Sequence, residues 1–119
     1  MRLTEAEWSV LSVLWSGERF ALGEVTEALK AEKKWSRNTV HTYLTRMEAK
    51  GLVRIDRTAE KPYAAAIARE DCARQERRDL LQRVYDGATG DLVAAFLQEA
   101  DMSQKEIARL KKLLDEMEV

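Results

Sequence analysis

Apolar residues recur at helical spacing along most of this chain and at strand spacing in one short stretch. Trp8, Leu11, Val13, Leu14 and Trp15 supply the apolar face of a first helix that ends at Gly17. Thr4-x-x-Glu7 opens it as a capping box, each side chain satisfying a backbone donor of the other's residue. Phe20 to Leu22 is short and apolar, a single strand or an entry turn. A second, shorter helix is expected from Gly23 to Ala31 on Val25, Ala28 and Leu29. No Asn, Asp or Ser stands where it should begin, and Ala21 and Leu22 are poor caps. The clearest stripe lies between Trp35 and Gly51, where Val40, Tyr43, Leu44 and Met47 fall at i, i+3, i+4 and i+7. Ser36 precedes it as N-cap, and Gly51 follows as the residue that takes positive φ at low cost.

After Gly51 the period drops to two. Leu52-Val-Arg-Ile-Asp-Arg57 alternates apolar and polar, the sign of a strand with one wet face. Thr58 to Lys61 is a polar turn, and Tyr63 to Ile67 returns as the antiparallel partner. Pro62 lacks a ladder donor and belongs at a strand start or edge. Arg69 to Tyr85 reads as a charged helix with Leu80, Leu81, Val84 and Tyr85 apolar at its end, and Gly87 and Gly90 bracket a break. Leu92, Val93, Phe96 and Leu97 mark the next helix. A second capping box, Ser103-x-x-Glu106, opens the last one, with Ile107, Leu110, Leu113, Leu114 and Met117.

The expected fold class is mainly α with a small β-hairpin (α+β). Residues 1–68 form a winged helix-turn-helix domain, and residues 69–119 form a helical dimerisation tail. Three amphipathic helices in 51 residues bury so much apolar surface poorly by themselves. Leu80, Leu81, Val84, Leu92, Val93, Phe96, Leu97, Ile107, Leu110, Leu113 and Leu114 are therefore expected to meet a second chain. Folding back onto the N-terminal domain is the alternative.

Composition narrows the class. The chain has 119 residues, 45% hydrophobic and 34% charged, as a soluble globular protein does. No run approaches the roughly 18 apolar residues of a membrane helix, and the N-terminus lacks the pattern of a signal peptide, so a cytoplasmic location is expected. The single cysteine, Cys72, excludes an internal disulfide and a multi-cysteine metal cluster within one chain. Its functional reading is a redox switch; its plain one is a small helix residue.

Net charge of −1 looks wrong for a nucleic-acid binder until it is divided. Residues 33–63 hold eight Lys/Arg against three acids, a local +5, whereas residues 69–119 hold nine bases and twelve acids, a local −3. Basic charge thus gathers around the Trp35–Gly51 helix, as phosphate attraction requires. Opposite its stripe, that helix carries Asn38, Thr42, Thr45 and Ala49, with His41 and Arg46 on the flanks and Glu48 as its one acid. Short polar side chains of this kind read base edges in a major groove. Asn38, Thr42 and Thr45 are the expected base readers, with His41 and Arg46 at the margin. Arg37 and the helix start, at Ser36, should hold phosphate, as should Arg54, Arg57 and Lys61 from the wing. His41 is otherwise expected to be a plain exposed histidine.

Two other classes compete. A winged-helix protein-interaction module without DNA binding is opposed by the Asn/Thr/Arg face. An enzyme is opposed by the lack of a phosphate loop, of a nucleophile paired with a base, and of sufficient metal ligands; no cofactor is expected.

The sequence resembles the penicillinase-repressor family of bacterial transcriptional repressors. The likeness is carried by Thr4-Glu-Ala-Glu-Trp8 with Leu14-Trp15, by Trp35-Ser36, and by Thr39-Val40-x-Thr42-x-Leu44-x-Arg46-Met47. Lys50-Gly51-Leu52, Arg74-Gln75-Glu76 and Leu92-Val93-Ala94-Ala95-Phe96 continue it. The resemblance implies a winged-helix domain in which Thr39 joins the DNA-contacting helix, a helical dimerisation tail, and a homodimer silencing a palindromic double-stranded DNA operator. It also implies a membrane sensor protease that cuts an Asn–Phe bond after the glycine break. Here that position reads Ala95-Phe96, which speaks against such a partner. The paired C-terminal cysteines of the copper-responsive branch are missing, and Arg37 stands where the family often has Pro.

Overall fold

The computed structural model describes residues 2–117; Met1, Glu118 and Val119, the outermost residues of the two expected domains, lie outside that range. Helix α1 (Glu5–Leu14) opens on the expected capping box. The Glu7 N–H donates to the Thr4 hydroxyl at 3.1 Å, and the Thr4 N–H donates to the Glu7 carboxylate at 2.9 Å. Helix α2 (Leu22–Leu29) begins without any side-chain cap from Ala21. Glu24 covers the deficit from inside the helix, its carboxylate accepting the Ala21 N–H at 2.8 Å. Helix α3 (Arg37–Ala49) starts where Ser36 Oγ accepts the Thr39 N–H at 3.2 Å.

These three helices pack around Val10, Leu11 and Leu14 of α1, Val25 and Leu29 of α2, and Val40, Leu44 and Met47 of α3. Burying such a side chain stabilises by about 1.5–3 kcal/mol. Three on one stripe of α3 therefore outweigh any propensity difference and set the rotation of that helix. Trp8 and Trp15 lie at the edge of the core in an edge-to-face pair, with centroids 5.7 Å apart.

Helix α3 hands the chain to the hairpin through a Schellman turn. Gly51 takes φ +79°, the Gly51 N–H donates to Glu48 O at 3.0 Å, and the Leu52 N–H donates to Met47 O at 2.9 Å. Leu52 and Met47 are both buried, so the hydrophobic contact that accompanies this turn is present. The antiparallel hairpin β1 (Val53–Ile55) and β2 (Tyr63–Ala65) follows, with Arg54 opposite Ala64. Both strands are shorter than expected. The Asp56 N–H still donates across the hairpin to Pro62 O at 2.9 Å; beyond it the Asp56 carboxylate accepts the Thr58 N–H at 3.1 Å and the Thr58 hydroxyl at 2.7 Å, which fixes the local turn. Phe20 adds a one-residue bridge on the outer side of Tyr63, which settles its part as a strand fragment.

The compact N-terminal unit runs to Asp79, past the hairpin. The cause is at the start of α4 (Arg69–Tyr85), where Cys72 joins the buried core. The Trp15 indole N–H also donates to Ile67 O at 2.9 Å, and the Arg69 guanidinium lies 5.7 Å from the Trp15 ring centre. Burial pushes the Cys72 thiol above its usual range, with Asp71 adding to the effect. A buried, protonated thiol is a poor nucleophile, so the plain reading of Cys72 is the one the structure favours.

The second unit, Leu80–Val119, comprises the end of α4, α5 (Thr89–Glu99) and α6 (Gln104–Glu116). The break lies at Asp86 (φ +49°) and Gly87 (φ +84°), while Gly90 falls inside α5. Ser103 caps α6 through the Glu106 N–H at 3.1 Å. The return bond of the expected box is replaced: the Ser103 hydroxyl donates to the Glu106 carboxylate at 3.2 Å. Among the described residues no helix is long and apolar enough to cross a membrane.

Gly51→Ala should destabilise the protein by about 1–2 kcal/mol, the cost of a side chain in the left-handed region. A Cβ there would meet nothing within 4 Å, so the loss is conformational rather than steric. Urea denaturation checks it, and Gly51→Asn should lose less.

Candidate nucleic-acid interface

The face of α3 opposite the buried stripe is open. Asn38, His41, Thr42, Thr45 and Arg46 are all exposed, as are Ser36 and Arg37 at its start. The two threonines are already engaged at one atom each. Thr42 Oγ1 donates to Asn38 O at 3.0 Å, and Thr45 Oγ1 donates to His41 O at 2.9 Å. With their protons turned to the helix backbone, they present methyl groups and oxygen lone pairs outward, suited to thymine methyls and exocyclic amino groups. Asn38 and Arg46 remain as donors.

Ser36 caps α3 as expected, and Thr39 adds to that cap. Besides capping the backbone, Ser36 Oγ lies 3.2 Å from Thr39 Oγ1, and Thr39 is only partly exposed. Both therefore stabilise the helix start. Arg37 lies across α2: a Cβ placed on Gly23 would come within 2.8 Å of its terminal nitrogen. Glycine at position 23 lets that guanidinium rest where α2 and α3 converge. Trp35 and Tyr43 stack with centroids 4.5 Å apart and planes 9° from parallel, walling one side of α3.

The basic patch divides into free and paired cations. Among the described residues no carboxylate pairs with Arg37, Arg46 or Arg54. Arg57 is held by Glu48 through two bonds of 3.0 and 2.9 Å, and Lys61 by Glu24 at 3.3 Å. The Arg57 bond holds the Glu48 carboxyl below its ordinary range, and the pairing raises Arg57 in turn. Lys50 reaches Glu7 at 2.7 Å, tying the end of α3 to α1. Sequence reasoning missed these acids as parts of the site. Glu48 stood out as the one acid of its helix, but partners 9, 37 and 43 residues apart leave no local signature.

Glu7 is 4% exposed. Burial alone would raise its carboxyl, but hydrogen bonds from Lys50 and the Thr4 N–H outweigh this and hold it below the ordinary value. Among the described residues no cluster of His, Cys, Asp and Glu could hold a metal ion.

Three packed helices, the third with an open polar face, followed by a hairpin that carries cations beside it, define a winged helix-turn-helix protein. The chain belongs to the penicillinase repressor family, a family of transcriptional repressors, and matches the family model over residues 3–116. It is 28% identical over 116 residues to the methicillin resistance regulatory protein MecI of Staphylococcus aureus strain N315, covering 95% of this chain and 93% of that protein. The penicillinase repressor of Bacillus licheniformis is also 28% identical over 116 residues, with 97% and 91% covered. That of Staphylococcus aureus is 23% identical over 118 residues, with 98% and 94% covered.

Glu7→Gln should lower stability at neutral pH by about 1–2 kcal/mol, because the charge-assisted bond is lost while the half-exposed Lys50 regains water. A depressed folded-state pKa adds stability above the unfolded value near 4.3 and loses it as pH falls through the folded one. The difference between wild type and variant should thus be constant from pH 7 to pH 5.5 and shrink below about pH 4. Urea midpoints across that range check it.

Proposed function

We propose that this chain is a cytoplasmic, sequence-specific DNA-binding repressor that acts as a homodimer on a palindromic operator. The observation that carries the reading is the exposed, acid-poor face of α3 bearing Asn38, His41, Thr42, Thr45 and Arg46, opposite the buried Val40, Leu44 and Met47. In this reading Asn38, Thr42 and Thr45 meet base edges, and Arg46 and His41 meet bases or phosphates at the groove margin. Arg37, Arg54 and Lys61 meet phosphates, with Ser36 and Thr39 keeping the helix start in shape. Two copies of α3 would enter successive major grooves about 34 Å apart.

Support for the dimer comes from the tail. No residue of α5 or α6 is buried, and Val84, Phe96 and Leu114 are more than half exposed. Val93, Leu97, Ile107 and Leu113 are exposed as well, while Leu80, Leu81, Leu92 and Leu110 are half-buried. So many apolar side chains in contact with water favour association with a second copy. Ala95 precedes Phe96, so release from DNA is not expected to proceed by cleavage at an Asn–Phe bond.

Selection of bound oligonucleotides from a random pool tests the function. A two-fold symmetric motif supports it, and a pool that returns no motif sinks it. On the selected operator, Arg46→Ala should weaken binding by about 1–3 kcal/mol, with much less effect on unrelated DNA. Lys61→Ala should weaken all duplexes alike and reduce the salt slope by about 1. Phe96→Asp combined with Leu113→Asp should give a monomer by sedimentation, with operator affinity lost in parallel.

A further inference from the structure

The hairpin tip is fastened at three points, to α2, to α3 and to the loop before α2. Lys61 Nζ meets Glu24 of α2 at 3.3 Å. Arg19, in the loop before α2, donates to Lys61 O at 2.8 Å and Pro62 O at 3.4 Å. Arg57 meets Glu48 of α3 through both terminal nitrogens, at 3.0 and 2.9 Å. The last link is bidentate, and it joins the wing to the helix with the open face. At 100° per residue Glu48 sits between His41 and the buried stripe, on the flank of α3 that the wing adjoins.

An acid at this position is a liability for simple phosphate attraction, since it cancels a wing cation. It does something attraction cannot. A lone arginine side chain samples many rotamers, whereas a fork gripped at two atoms has one orientation. The end-on grip uses one N–H of each terminal nitrogen and leaves Nε–H and an outer N–H on a free edge. Contacts to phosphate set the register of a protein on the duplex, and base contacts can be made together only in the correct register.

We propose that Glu48 is a positioning residue for DNA specificity: by gripping Arg57 it holds the hairpin at one angle to α3, so that the wing meets phosphates only where α3 also meets its bases. Arg57 acts through this grip, with its free edge aimed at the backbone, rather than as an independent cation. The role rests on the DNA-binding reading above. A wing released from the grip would find phosphates on any sequence, raising non-specific binding while adding nothing on the operator.

Glu48→Gln, Arg57→Gln and the double variant test it, titrated with the selected operator and with a scrambled duplex of equal length over a salt series. Glu48→Gln should bind the scrambled duplex more tightly and the operator no better. The ratio of the two affinities should then fall about tenfold, a loss of discrimination rather than of binding. Arg57 is exposed and Glu48 is half-buried at the surface, so loss of this pair should move the urea midpoint little. Arg57→Gln should lower the ratio too, and the double variant should be no worse than either single one, as coupled residues require. Equal gains on both duplexes would show Glu48 to be only a stray charge, and additive losses would show the two residues to act independently; either overturns the positioning role alone. If the wild type selects no motif, the DNA-binding reading falls and takes this role with it.

Discussion

The face of α3 that is free is decided by the face that is buried. Val40, Leu44 and Met47 are each fully covered, and the Schellman turn at Gly51 draws Leu52 against Met47 beneath the same helix. Helix rotation and hairpin departure are thus one constraint: turning α3 would expose its stripe and unseat the strand that follows. Asn38, Thr42 and Thr45 face outward as a consequence of what lies behind them. Rigid presentation of this kind is what a reading surface needs, because side chains that must find base edges together tolerate little slack.

Electrostatics adds a second layer of order. A domain with a local excess of base around one helix leaves some of its cations unpaired and spends others on its own acids. Arg37, Arg46 and Arg54 carry the open charge of the patch. Lys50 is spent on α1, Arg57 on α3 and Lys61 on α2. The two exposed pairs, Glu48–Arg57 and Glu24–Lys61, add little to stability. Their effect is geometric: each one crosses between elements, and together they bind the hairpin to the helices it adjoins. In the proposed division of labour the free arginines supply attraction and the Glu48–Arg57 pair supplies aim.

The tail is organised by the opposite principle. Its helices carry well-formed apolar stripes, Ser103 caps the last of them, and yet none of the side chains in α5 or α6 is buried. A stripe without a partner is a surface prepared for one, and self-association is the reading proposed here.

Much of this could be read from one dimension. Helical spacing placed α1, α3 and the tail helices, a capping box marked the start of α1, and a change of period marked the wing, because these features arise between residues a few positions apart. The polar face of α3 was legible for the same reason, since a stripe implies its opposite. Three things escaped. Helix α2 is capped by Glu24 from within, Asp56 fixes the turn after β1 through its own side chain, and Cys72 at the start of α4 joins the core of the first unit. The pairs Glu48–Arg57, Glu24–Lys61 and Glu7–Lys50 likewise took shape only on folding, for a carboxylate finds its cation through space. Periodicity determined which residues face out; tertiary packing alone decided which of the outward charges are free, because pairing depends on distances that the spacing of residues along a chain does not encode.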